Sequence, residues 1–336
     1  MRTTSFSIYD QISRALQQTM TDLSAISNRL SSGKKISKPS DDVIGTIKAL
    51  DYKLSIDMND RYQSNIADVR NRFDFTDKVL SSASDTLSSL GQIASQGASG
   101  ALSMDERTAF AGQVAQYRDM LTSLANSKYL NKYVFSGYKT DTQAFDPVTF
   151  AYQGDSGISN VSIDQNTNMP INFTGNSVFS LPLTAAQTVQ LPGGGSIQYT
   201  PDAPGTTTTN VTILDAGNNI VDQFSYDNFM QMADIMAAAL NANDTRRISA
   251  LVQPLLDART HIQTVQAENG VRENAIDDQN TRLTSFSLSL QNSLSATQDA
   301  DLTETITDLQ KTNVALQALQ QASARILSQS LLDFLK

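Results

Sequence analysis

Apolar residues recur at alternating steps of three and four along both ends of this 336-residue chain, and the pattern stops abruptly in the middle. Near the N-terminus the series is Tyr9, Ile12, Leu16, Thr19, Leu23, Ile26 and Leu30, and it resumes from Tyr62 through Phe73, Leu80 and Leu87 to Ala94. Phe110, Val114, Tyr117, Leu121 and Leu124 repeat it. Beyond the middle it returns at Ile248, Leu251, Leu255, Ala258, Ile262 and Val265, then at Ile276, Leu283, Phe286 and Leu290. The last series is Leu302, Ile306, Leu309 and Leu316, with Leu319, Ile326 and Leu327 widening the stripe. Such spacing keeps one apolar seam of an α-helix turned toward a partner helix, as in a coiled coil. At 1.5 Å per residue the run from Tyr62 to Ala94 would extend about 50 Å. These segments predict rods.

The middle has a different composition. Residues 136–226 hold nine of the sixteen Gly and six of the eight Pro, and carry seven Asp against one Lys. Runs such as Ser196–Thr200 and Asn210–Leu214 alternate at period two between turn residues, which predicts antiparallel strands. Asp215-Ala216-Gly217-Asn218-Asn219 suits a hairpin loop leading into Ile220–Phe224. The expected fold class is therefore α+β and multi-domain: long coiled-coil-like helical rods from both termini, with an antiparallel β insert between them. The expected division is 1–42 with 291–336 as a terminal helical domain, 43–135 with 227–290 as a helical bundle, and 136–226 as a β-rich outer insert.

Helix ends are marked in the sequence. Gly33 after Leu30 suits a left-handed cap, and Ser40-Asp41-Asp42 after Pro39 supplies the next helix start. Ser103-Met104-Asp105-Glu106 has the spacing of a capping box. Ser225 or Asp227 is expected to open a short helix through Leu240, and Pro254 to end or kink a helical segment. The ends also differ in charge: residues 1–38 carry six basic and two acidic side chains, residues 299–336 five acidic and three basic. Opposite bias favours pairing of the two termini.

Chemistry is hard to find. With no Cys and one His, thiol nucleophiles, disulfides, zinc fingers and iron–sulfur sites are excluded. His261 adjoins the seam residue Ile262 with no second imidazole to share a metal, so a helix side chain is the better reading. Gly193-Gly194-Gly195 lacks the Lys-Ser/Thr of a phosphate loop and reads as a turn. The pairs Asp41-Asp42, Asp277-Asp278 and Asp299/Asp301 suit helix ends or solvated faces better than acid–base work. Asn172-Phe-Thr174 and Asn210-Val-Thr212 fit the glycosylation sequon, where a Thr-rich stretch produces chance matches. No catalytic, cofactor-binding or metal residue is assigned, and no enzyme activity or cofactor is expected. An excess of 34 acidic over 25 basic residues argues against nucleic acid as a partner. The longest apolar stretch, about Ile235 to Leu240, is far short of the ~20 residues a bilayer needs, so no membrane insertion is expected. The first 25 residues have neither the apolar core nor the cleavage site of a cleaved signal.

What remains are narrow apolar stripes on terminal helices, marginal in water by themselves, which must be buried somewhere. The candidate assembly residues are Ile12, Leu16, Leu23, Ile26 and Leu30 at one end and Leu302, Ile306, Leu309, Leu316, Leu319, Ile326 and Leu327 at the other. Residues 1–40 and 295–336 are expected to be largely disordered in a lone molecule and to order on packing against neighbours.

Arg29-Leu30-Ser31-Ser32-Gly33-Lys34-Lys35-Ile36 with Ser40-Asp41-Asp42 resembles the N-terminal region of bacterial flagellins, and Asp299-Ala300-Asp301-Leu302-Thr303-Glu304 with the helix after it resembles their C-termini. Within that superfamily, Tyr133–Thr140, Phe145-Asp146 and the closing Leu331–Leu335 are similar to the hook–filament junction family. The resemblance covers about 1–150 and 227–336. It implies a structural protein of the extracellular flagellum, exported unfolded without a cleaved signal, whose terminal helices form an inner tube. The partners it implies are the first hook-associated protein, flagellin, copies of the chain itself, and a cytoplasmic export chaperone binding the C-terminal region. A short flagellin, a coiled-coil signalling or scaffold protein, and an enzyme housed in the insert stay open as alternatives.

Overall fold

The computed structural model describes residues 2–99, 102–191, 194–203 and 206–334, with side chains described for Ser7 and for residues from Tyr9 to Arg325 within those ranges. In chain order the elements are α1 (Arg2–Ser32), α2 (Val43–Ala98), α3 (Met104–Ala125), β1 (Lys128–Tyr129), β2 (Lys132–Tyr133), β3 (Asn160–Ser162), β4 (Asn168–Pro170), α4 (Gly175–Phe179), β5 (Gln187–Gln190), β6 (Ser196–Pro201), β7 (Thr209–Leu214), β8 (Ile220–Tyr226), α5 (Phe229–Asn241), α6 (Thr245–Gln298) and α7 (Leu302–Phe334). They form two compact units, residues 1–61 with 282–336 and residues 62–281.

In the unit of residues 62–281, the heptad positions become core. Phe73, Leu80, Leu87 and Leu90 of α2, Val114 and Leu121 of α3, and Ile248, Leu251, Leu255 and Ile262 of α6 are all buried. α5 is buried along most of its length and packs on α3. The four-stranded antiparallel sheet has the order β5-β6-β7-β8. Ile197 pairs with Ile213 and Tyr199 with Val211, so one face of the pleat carries four buried side chains. These join a single hydrophobic cluster with the helices, and Phe135, Phe145 and Phe179 add edge-to-face ring contacts at 5.2 and 5.8 Å. The predicted hairpin forms: Asp215 accepts hydrogen bonds from the Gly217 and Asn219 backbone N–H groups, and Asn218 takes φ +63°.

Two helix boundaries differ from expectation. Asn228, rather than Ser225 or Asp227, caps α5, accepting from the Gln231 N–H while its own Nδ2 donates to Phe150 O. β8 runs on to Tyr226 and takes up Ser225, and Asp227 lies one residue ahead of the cap. Pro254 lies inside α6, which continues through it. A proline cannot donate to the carbonyl four residues back, which here is Ala250. That carbonyl instead accepts the buried Tyr199 hydroxyl at 2.7 Å. The sheet thus supplies the hydrogen bond the proline withholds. Phe286, read as a seam position, is 54% exposed, while Leu283 and Leu290 on the same helix are buried.

Candidate assembly surface

In the unit of residues 1–61 and 282–336, α1 packs along α7. The linkers at one end of the pair are strapped together. Gly33 adopts φ +67°, the expected left-handed cap. Its carbonyl accepts from Ala300 N at 2.9 Å, Lys35 N donates to Gln298 O at 2.8 Å, and Lys34 and Asp299 form an antiparallel bridge. The Asp41 carboxylate accepts from the Lys38 and Ser37 backbone N–H groups, which hold its pKa below the ordinary value. Asp42 accepts from Gly45 N at 2.9 Å and caps α2. Gly45 gives these side chains room: a Cβ would lie 2.5 Å from both Ile36 Cδ1 and Asp42 Oδ2, so either would have to shift. Asp301 caps α7 through Thr303 N and Glu304 N.

Ile12, Leu16, Leu23, Ile26 and Leu30 of α1 are half-buried, as are Leu309, Leu316 and Leu319 of α7. The covered side of α7 is completed by Thr305, Thr312 and Ser323. Leu302 and Ile306 remain 52% and 44% exposed, on a side of α7 that also carries Val314 at 66%. Ile326 and Leu327 lie outside the residues whose side chains are described. Segments expected to be disordered in the lone molecule are thus helices here. The chain shelters its two seams in part by laying one on the other, because both repeat at the same spacing. The described ion pairs on these helices, Arg14–Asp10 and Lys311–Asp308, are each within one helix.

An apolar side of α2 in the same unit escaped the sequence reading. Val43, Ile44, Ile47, Leu50, Leu54 and Met58 are each between 46% and 68% exposed. Their spacing of three and four was the available signal, continuous with the series that begins at Tyr62.

The residues singled out for chemistry have other employment. His261 Nε2 lies 2.8 Å from Ser177 O, and the ring stands edge-on to Phe229. Asp299 accepts from Ser295 Oγ, and Asp277 pairs with Arg70 at 3.1 Å. Gly194 and Gly195 form the β5–β6 turn, with Leu191 N donating to Gly195 O; Gly193 lies outside the described residues. Asn172 is buried, its amide satisfied by Gly157 O and Ser159 N. Among the described residues no group of acidic, His or Cys side chains is placed to hold a metal, and no helix is long and apolar enough to cross a membrane.

One unit thus carries paired terminal helices with half-covered heptad seams, and the other closes helices and a sheet around one core. Residues 5–140 match the family model for the bacterial flagellin N-terminal helical region. Over 323 residues, 96% of each chain, the sequence is 24% identical to flagellar hook-associated protein 3 of Escherichia coli, and it is 27% identical to that of Salmonella typhimurium over 181 residues, 54% of this chain and 57% of the other. The fold is similar to that of the flagellar junction protein FlgL from Legionella pneumophila, at TM-score 0.53 and 18% identity, covering 74% of this chain and all of that one. The chain is thus similar to the flagellin N-terminal helical region over residues 5–140 and to the hook-associated proteins 3 beyond it.

Proposed function

We propose that this protein is a structural subunit of the bacterial flagellum that joins the hook to the filament. The observation that carries the reading is the pair of terminal helices, whose seams cover one another only halfway, in a chain related over its whole length to a hook-associated protein 3. Half-buried Leu and Ile positions at both ends retain apolar surface for neighbouring copies, at roughly 25 cal/mol per Å² removed from water. The assembly residues are those of the two seams, Ile12 to Leu30 and Leu302 to Leu327. The first hook-associated protein would contact the subunit on one side and flagellin on the other. The terminal helices form an inner layer, residues 43–135 with 227–290 the next, and 136–226 the outer surface. The chain leaves the cell unfolded, its C-terminal region held beforehand by an export chaperone. Catalysis has no part in this role.

Immunogold labelling of intact flagella tests it. The expected result is label at one point between hook and filament; label along the filament would make the protein a filament subunit, and no label on flagella would overturn the reading.

A further inference from the structure

A pocket of about 240 Å³ lies between α2 and the β1–β2 hairpin, walled by Val69, Tyr129, Val161 and Ile171. Arg72 reaches into this lining, and its Nε is buried without a hydrogen-bond partner. No described ion pair or side-chain hydrogen bond includes its guanidinium; burial draws its pKa below the ordinary value. Asp68 lines the pocket but forms no ion pair with Arg72 among the described residues, and Lys132 is bound to Asp141 at 2.6 Å. A guanidinium Nε buried without an acceptor is costly, and an incoming carboxylate would relieve that cost.

The pocket rim holds a second anomaly. Leu130, at the tip of the hairpin, has φ +48° and is 81% exposed. A side chain branched at Cγ in the left-handed region is strained, and Gly, Asn or Asp is the usual occupant of such a turn. Here the chain places a large apolar group in that conformation, facing water, next to an unanswered cation.

We propose that this pocket receives an Asp or Glu side chain of a second copy of the chain, with Leu130 anchoring the apolar residues beside it. Charge favours a copy as the occupant: each chain carries 34 acidic against 25 basic residues, and its segment 136–226 has seven Asp with one Lys, of which Asp202 and Asp215 are exposed and form no ion pair among the described residues. The inference rests on the multi-copy assembly proposed above and names one of its contacts.

The absence of Cys makes the test clean. Leu130→Cys, labelled with a benzophenone maleimide, is incorporated into flagella in the source bacterium and irradiated. The expected product is a covalent dimer of this chain, mapped to an acidic peptide. In an Arg72→Met background the dimer yield should fall at least tenfold, while the melting temperature of the purified subunit is unchanged or higher. Arg72→Lys should restore part of the yield. A dimer whose yield ignores residue 72, a crosslink to a different protein, or no crosslink in labelled flagella would each overturn the proposal. Should Arg72→Met fail to fold, the Leu130→Cys product alone decides the partner. Absence of the wild-type protein from flagella would instead defeat the junction reading.

Discussion

The same three-four spacing gives two different outcomes in the two units. Between Tyr62 and Thr281 it produces a closed core, where Leu80, Val114, Leu251 and Ile262 have no solvent exposure. On α1 and α7 of the terminal unit it produces a seam whose described Leu and Ile members are half-buried or exposed. The difference lies in the number of layers available. α2, α3, α5, α6 and the sheet bring apolar side chains to the first from several directions, whereas α1 and α7 have chiefly each other. Periodicity therefore specifies which side of a helix seeks cover, and the count of neighbouring elements decides how much it finds.

The largest expected effect is Leu80→Asp, which puts a carboxylate at a sealed position; it should cost about 4 kcal/mol or more and abolish cooperative melting of the purified subunit. Leu16→Asp or Leu309→Asp should shift that melting by less than about 2 °C yet eliminate incorporation into flagella. Equal melting losses for the two kinds of substitution would erase the contrast between the units. Hydrogen exchange on the monomer sharpens it: amides of 12–30 and 305–323 should exchange at least 100-fold faster than those of 73–94. Tyr199→Phe removes the hydroxyl that serves the Ala250 carbonyl and should cost about 1–3 kcal/mol, read by chemical denaturation. Ser103→Ala, which breaks the α3 capping box, should cost about 1 kcal/mol. In the linker, Asp41 has a folded pKa below its ordinary 3.8. Its contribution is present above that ordinary value and lost as pH falls through the lowered one. Acidification below about pH 4 should accordingly loosen the 33–42 segment, and Asp41→Asn should remove this pH dependence in exchange experiments.

Helical rods, their seams, the hairpin at 215–219 and the caps at Gly33 and Ser103 were legible because each follows from local spacing or from a single residue's conformational preference. Pro254 misled for the complementary reason. Its effect depends on Tyr199, distant in sequence, and no local rule reports a hydroxyl arriving from another element. Asn228 was missed because strand β8 takes in Ser225 and shifts the helix start past Asp227. Phe286 fits the seam arithmetic but is 54% exposed, and Val43 to Met58 carry the same spacing without the cover that spacing usually signals. The Arg72 pocket was invisible for a stronger reason: its walls come from residues 65–72, 129–132, 161 and 171, and only the fold collects them.

The strap between Gly33–Ile36 and Gln298–Ala300 has a directional consequence. It fastens α1 and α7 at one end, so the entropy of bringing two distant stretches of chain together is met once, at that clasp. Turns next to the clasp then close at small further cost, and those beyond close in succession, as a zip does. Damage near the fastened end, at Leu30, should therefore undo more of the pair than the same damage at Ile12, and the free tips should be the last to close and the first to open.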